Sequence, residues 1–153
     1  MWEVPTTFSL VSGHGEGLTP LNAFDRALLD AGIGDLNLIK VSSIIPPGAR
    51  LVPLPDIPKG ALTPTVYSRA ESSIPGEVVS ACVGGGISEE GFGLLYEFSH
   101  VGRAEAAEEI VREMIEDGFA MRGLTLKDMH IVSSEHRVEK VGCAIAAAVL
   151  WWG

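Results

Sequence analysis

Basic residues are scarce in this chain: 11 lysines and arginines stand against 20 aspartates and glutamates, a formal charge of −9 over 153 residues. That balance argues against a nucleic-acid partner, because phosphate binding needs a basic face, and it suits a cationic small molecule. Cysteine is scarcer still. Cys82 and Cys143 are too few for a disulfide framework and stand among small, apolar residues, as buried free thiols do, which points to a reducing, cytoplasmic setting. Long apolar runs are missing. The longest, Cys143 to Trp152, has ten residues, where a membrane-spanning helix needs about twenty. The start, Met1-Trp2-Glu3-Val4-Pro5, lacks the basic-then-apolar order of a signal peptide.

Several motifs are absent as well. The glycines of Gly13-His14-Gly15-Glu16-Gly17 read as a flexible loop, without the ending of a P-loop or the Rossmann spacing. His14, His100, His130 and His136 are scattered, with no zinc-ligand spacing, and no G-x-S-x-G elbow supports a hydrolase triad. There is no internal repeat and no low-complexity tract.

What is present is enough apolar content, 46%, for a single domain with a real core. Thr19 is a good N-cap with Pro20 at the first helical position, and Leu21, Phe24 and Leu28 recur at helical spacing until Gly32. Strands are expected over residues 6–12, 36–44, 65–71, 77–83, 93–98 and 129–135, with Gly84-Gly85-Gly86 ending the fourth. Six prolines between Pro46 and Pro64 predict an extended connection. Ala104 to Asp117 is the clearest helix, with Ile110, Val111, Met114 and Ile115 on one face and Gly118 at its end. The order of these elements is α+β.

The stretch that carries chemistry is Lys40-Val41-Ser42-Ser43-Ile44-Ile45-Pro46-Pro47-Gly48. An apolar run meets two serines and then a turn that no strand can continue. Ser43 is within reach of the carbonyl carbon of Ser42. Attack there gives an ester, and elimination releases residues 1–42 as an ordinary carboxylate. Hydrolysis then leaves a ketone, a pyruvoyl group, at the start of residues 43–153. An intact Ser-Ser at a strand end, bonding locally to the backbone, is the structural alternative. Glu97 is the other conspicuous residue, a carboxylate set among Leu94, Leu95, Tyr96 and Phe98, on the face shared with Leu95.

The segments from Thr19 to Asp25, Ala31-Gly32-Ile33-Gly34, Asn37 to Pro47, Val52-Pro53-Leu54-Pro55, Gly60-Ala61-Leu62, Met121-Arg122-Gly123 and Val138 to Ala144 resemble, in this order, the pyruvoyl-dependent arginine decarboxylases. The resemblance covers nearly the whole chain. It implies two β-sheets sandwiched between outer helices, an αββα arrangement, assembled as a trimer or a pair of trimers with active sites between subunits. With this pattern and Glu139-Lys140-Val141-Gly142-Cys143, it also favours a strand over residues 141–151, where alanine content alone favours a helix. It further implies decarboxylation of L-arginine to agmatine, with a covalent pyruvoyl cofactor made from Ser43 after cleavage at Ser42-Ser43 and with neither pyridoxal phosphate nor metal. On the same basis Glu97 matches the catalytic acid, Asn37 a processing residue that would hydrogen-bond the oxyanion at the Ser42 carbonyl, and Asp25 the partner of the substrate guanidinium. The alternatives are a noncatalytic ligand-binding or assembly protein of the same fold, or a decarboxylase of another amino acid.

Overall fold

A computed structural model describes residues 3–153. Among the described residues, eleven elements are arranged in four layers: a helix, a five-stranded sheet, a four-stranded sheet and a second helix. In chain order they are β1 (Thr7–Glu16), α1 (Pro20–Asp30), β2 (Asn37–Lys40), β3 (Ile44–Ile45), β4 (Arg50–Leu51), β5 (Leu62–Ser72), β6 (Val78–Ser88), β7 (Gly93–Val101), α2 (Ala104–Arg122), β8 (Leu126–Arg137) and β9 (Gly142–Trp151). One sheet has the order β2-β5-β9-β1-β4 and the other β3-β7-β6-β8. This is the α+β class expected from the order of elements, in the sandwich with outer helices that the family resemblance implies.

Alternation along the strands builds three apolar layers. Between the sheets lie Phe8, Val66, Val83, Leu95 and the alanines at 144, 146 and 148. The opposite face of β9 presents Cys143, Ile145, Ala147 and Val149 to α1. Cys82 and Leu94 pack under Val111, Ile115 and Phe119 of α2. β9 sits centrally, paired antiparallel with both β1 and β5. Its alanine content is therefore not a helix signal. A strand buried on both faces reads as a continuous apolar run, and the alanines of β9 belong to such a run together with Ile145, Val149 and Leu150.

Several glycines expected in a loop or at the end of an element lie inside strands or a helix. Gly13 and Gly15 are not a flexible loop but part of β1, opposite Ile145 and Cys143 of β9. A Cβ at Gly13 would overlap the backbone of Ala27 and Ala31, so the glycines bring α1 close to the sheet. The buried face of that helix is accordingly Ala23, Ala27 and Leu28, while Leu21 stays exposed. Gly84, Gly85 and Gly86 do not end β6, which continues to Ser88 between β7 and β8 with partners on both sides. Side chains at Gly84 and Gly86 would run into Val111, Ile115 and Phe119. Nor does Gly118 end α2: the ring of Tyr96 lies against it, and the helix stops at Gly123, whose φ of 65° is left-handed.

Glu16, the last residue of β1, fastens the turn between β8 and β9. Its carboxylate accepts the backbone N–H groups of Lys140 (2.7 Å), Val141 (3.1 Å) and Glu139 (3.2 Å), and it pairs with the His136 ring. Burial works to raise its pKa, but those donors hold it down at about 2.

Candidate active site

The strand expected over residues 36–44 is broken in two, and the candidate site lies at the break. β2 is the edge strand of the five-stranded sheet, parallel to β5, and β3 is the edge strand of the other, paired with β7. Val41, Ser42 and Ser43 carry the chain from one sheet to the other. Each side of the crossing is tied down. The Val41 N–H donates to the Thr65 carbonyl at 3.1 Å, and the Leu95 N–H donates to the Ser43 carbonyl at 2.8 Å. The serine pair is thus a short bridge between two anchored edges, without the continuous ladder that a strand interior would impose.

A cavity of about 410 Å³ opens beside the bridge, lined by Lys40, Val41, Ser42, Ser43, Val66, Leu95, Tyr96, Glu97 and Met114. A second, of about 250 Å³ and mostly apolar, lies against Val41, Ser42, Ser43 and Ile44 together with Pro64, Leu150 and Trp152. Ser43 and Glu97, far apart in sequence, line the same space. Alternation explains how: Leu95 and Glu97 share a face of β7, and Leu95 belongs to the core between the sheets. Glu97 therefore points toward the gap between the sheets, where that gap reaches the edge and meets the bridge.

The two oxygens of Glu97 have different surroundings. Oε1 lies 3.4 Å from the ammonium of Lys40, while Oε2 is buried and makes no hydrogen bond among the described residues. A buried oxygen with unused lone pairs is uncommon in a folded protein and suits a group that exchanges a proton. Lys40 is about half exposed and also lies over the ring of Tyr67, 4.9 Å from its centroid. Sequence reasoning missed Lys40. Its position three residues before Ser43 was visible, but its pairing with a residue of the opposite sheet was not.

The site residues expected from the resemblance are only partly brought together within one chain. Ser42, Ser43 and Glu97 share the cavity. Asp25 lies exposed on α1, outside both cavities beside the bridge. Asn37 begins β2, and its side-chain amide donates to the Gly60 carbonyl at 2.9 Å. It too lines neither cavity. The geometry fits a ketone formed at residue 43. The Leu95 N–H already holds the carbonyl that would adjoin it, and a carboxylate faces the same space.

Comparison with known proteins gives a consistent result. The family model described as pyruvoyl-dependent arginine decarboxylase matches residues 7–152. A protein of that name from Methanocaldococcus jannaschii is 50% identical over 153 residues, covering 99% of this chain and 93% of its own length. One from Methanococcus aeolicus is 51% identical with the same coverage. One from Pyrococcus horikoshii is 47% identical, covering 98% of each chain. With the serine bridge, the facing carboxylate and a match along the whole chain, this protein belongs to the pyruvoyl-dependent arginine decarboxylase family.

Proposed function

We propose that the protein cuts itself between Ser42 and Ser43 and then decarboxylates L-arginine to agmatine and carbon dioxide. The observation that carries this reading is the shared cavity of Ser43 and Glu97, formed where the chain crosses between the two sheets. In maturation the Ser43 Oγ attacks the Ser42 carbonyl carbon, so that the peptide bond becomes an ester. Loss of the Cα proton of residue 43 then expels Ser42 as a carboxylate, and water replaces the nitrogen, which leaves as ammonia. The products are fragments 1–42 and 43–153, a single domain cut once. The crossing is anchored on both sides, at Val41 and at Ser43, which favours a cut that leaves the sheets intact.

The resulting ketone supplies an electrophile that condenses with the substrate amine and takes up the electron pair left when carbon dioxide departs. The chain's own residues do the rest. Glu97 gives a proton to that carbon from the side of the cavity, and Leu95 fixes the adjoining carbonyl. Val66, Leu95 and Met114 supply apolar walls that keep water from competing. Asp25 meets the guanidinium, and Asn37 serves the cleavage step. Asp25 lies outside its own chain's cavity, so this reading assigns it to the site of a neighbouring subunit in a homo-oligomer. Two buried, unpaired thiols, each pushed up to about 12 by burial, are in keeping with a reducing cytoplasm.

The test is direct. Purified wild-type protein given arginine should release agmatine and carbon dioxide, and its mass spectrum should show residues 1–42 and a 43–153 fragment with a ketone in place of its amine. Ser43→Ala should stay whole and inactive. An uncleaved Ser43→Ala protein with full activity would end the pyruvoyl reading.

A further inference from the structure

Arginine brings two charges into the cavity besides its amine: a guanidinium and an α-carboxylate. Lys40 carries the one cationic side chain among the residues that line the cavity. Its ammonium is 3.4 Å from Glu97 Oε1 and, being about half exposed, can turn to a new partner without any rearrangement of the core. The rest of the wall offers an anion little: apolar side chains, two serine hydroxyls, a tyrosine and Glu97 itself.

We propose that Lys40 is the residue that receives the substrate's α-carboxylate, exchanging Glu97 for it when arginine binds; this inference rests on the arginine decarboxylase reading of the site. Two carboxylates beside one ammonium repel each other, and the cost is relieved when one of them takes up a proton. The substrate's carboxylate must leave as carbon dioxide and holds no proton, so the proton goes to Glu97. Binding thus loads the acid that turnover needs. When the bond from Cα to the carboxylate breaks, carbon dioxide departs and the electron pair remains behind. The proton on Glu97 then passes to Cα, so each turnover draws one proton from solvent. Glu97 is once more a carboxylate, and Lys40 returns to it. Agmatine has no carboxylate to compete for Lys40, which separates the affinity for product from that for substrate. Because Lys40 is partly solvated, the carboxylate is oriented without the deep stabilisation that would oppose its departure.

Binding to uncleaved protein provides a readout separate from turnover. In the full-length Ser43→Ala background, isothermal titration with arginine and with agmatine should show that Lys40→Met weakens arginine about tenfold, as expected for a hydrogen bond to a charged group. Agmatine binding should change less than twofold, and Lys40→Arg should restore most of the arginine affinity. In processed enzyme, Lys40→Met should raise KM for arginine while leaving inhibition by agmatine within twofold. Equal weakening of both ligands, or of neither, overturns the assignment of Lys40. Failure of wild-type protein to decarboxylate arginine overturns the functional reading, and this inference with it. Decarboxylation by wild type with an unchanged arginine-to-agmatine ratio in the variant overturns the inference alone.

Discussion

The backbone N–H of Leu95 donates to the carbonyl of Ser43 at 2.8 Å, and two residues further along β7 stands Glu97. One strand therefore holds both the residue that would become the ketone and the acid that would serve it. All three would belong to the 43–153 fragment of the proposed cut, so their relationship would not depend on the continuity of the chain at Ser42.

Glu97→Gln separates maturation from turnover. Glutamine keeps the shape of the side chain and removes the transferable proton, so cleavage should still proceed while decarboxylation falls by about 10²- to 10⁴-fold. Mass spectrometry and steady-state kinetics on the same preparation measure both. Full activity in a cleaved Glu97→Gln protein would place the proton donor elsewhere.

Asp25 is proposed to meet the substrate guanidinium in the site of a neighbouring subunit. A guanidinium keeps its charge and presents a planar fork that one carboxylate can meet with two hydrogen bonds. Asp25→Asn should therefore cleave normally and lose arginine binding, with a cost of about 2–5 kcal/mol if the pair is desolvated. An uncharged amino acid of similar length should be affected far less. Unchanged arginine kinetics in fully processed Asp25→Asn protein would reject it as the guanidinium partner. Asn37→Ala should instead slow the appearance of the two fragments, which a cleavage time course would show.

Glu16 gives the fold a pH dependence with a definite sign. Its carboxyl is held at about 2, below the ordinary 4.5, by the N–H groups of Lys140, Glu139 and Val141 and by His136, against the opposing effect of burial. A lowered carboxyl pKa contributes stability that is fully present above 4.5 and lost as pH falls toward 2. After allowance for solvent screening at a partly exposed group, this is about 1–2 kcal/mol. Glu16→Gln should be less stable than wild type at pH 7 by that amount. The difference should shrink as pH falls below 4.5 and vanish near pH 2, as followed by urea unfolding at each pH. A constant difference across that range would show that the shape of the side chain, rather than its charge, fastens the turn.

Gly118 and Tyr96 test the packing behind the cavity. A methyl group at position 118 would overlap the tyrosine hydroxyl and ring, although alanine is the better helix former. Gly118→Ala should cost about 1–3 kcal/mol through overpacking. Tyr96→Phe removes the nearest atom, so the same glycine change should cost less in that background. A double-mutant cycle by denaturant unfolding measures the coupling. Additive effects would mean that the ring moves aside freely.

Local signals in the chain were enough for the serine pair, the first helix with its Thr19 cap and Pro20 start, most of the strands and the order of elements that makes the chain α+β. These rest on local physics: capping, alternation and the inability of proline to continue a ladder. Family resemblance added the outer helices and a strand at β9, which alanine propensity would have made a helix. The tertiary structure decided what the glycines were for, because whether a missing side chain means a turn or a close approach depends on what packs above it. At Gly13, Gly84 and Gly86 that is a helix. It also decided that residues 36–44 are two edge strands of different sheets rather than one strand, since the same apolar run can pair with β5 or with β7 and only the closed sandwich assigns each half. The meeting of Lys40 with Glu97 across those sheets follows from that division, which is why no spacing in the chain announced it.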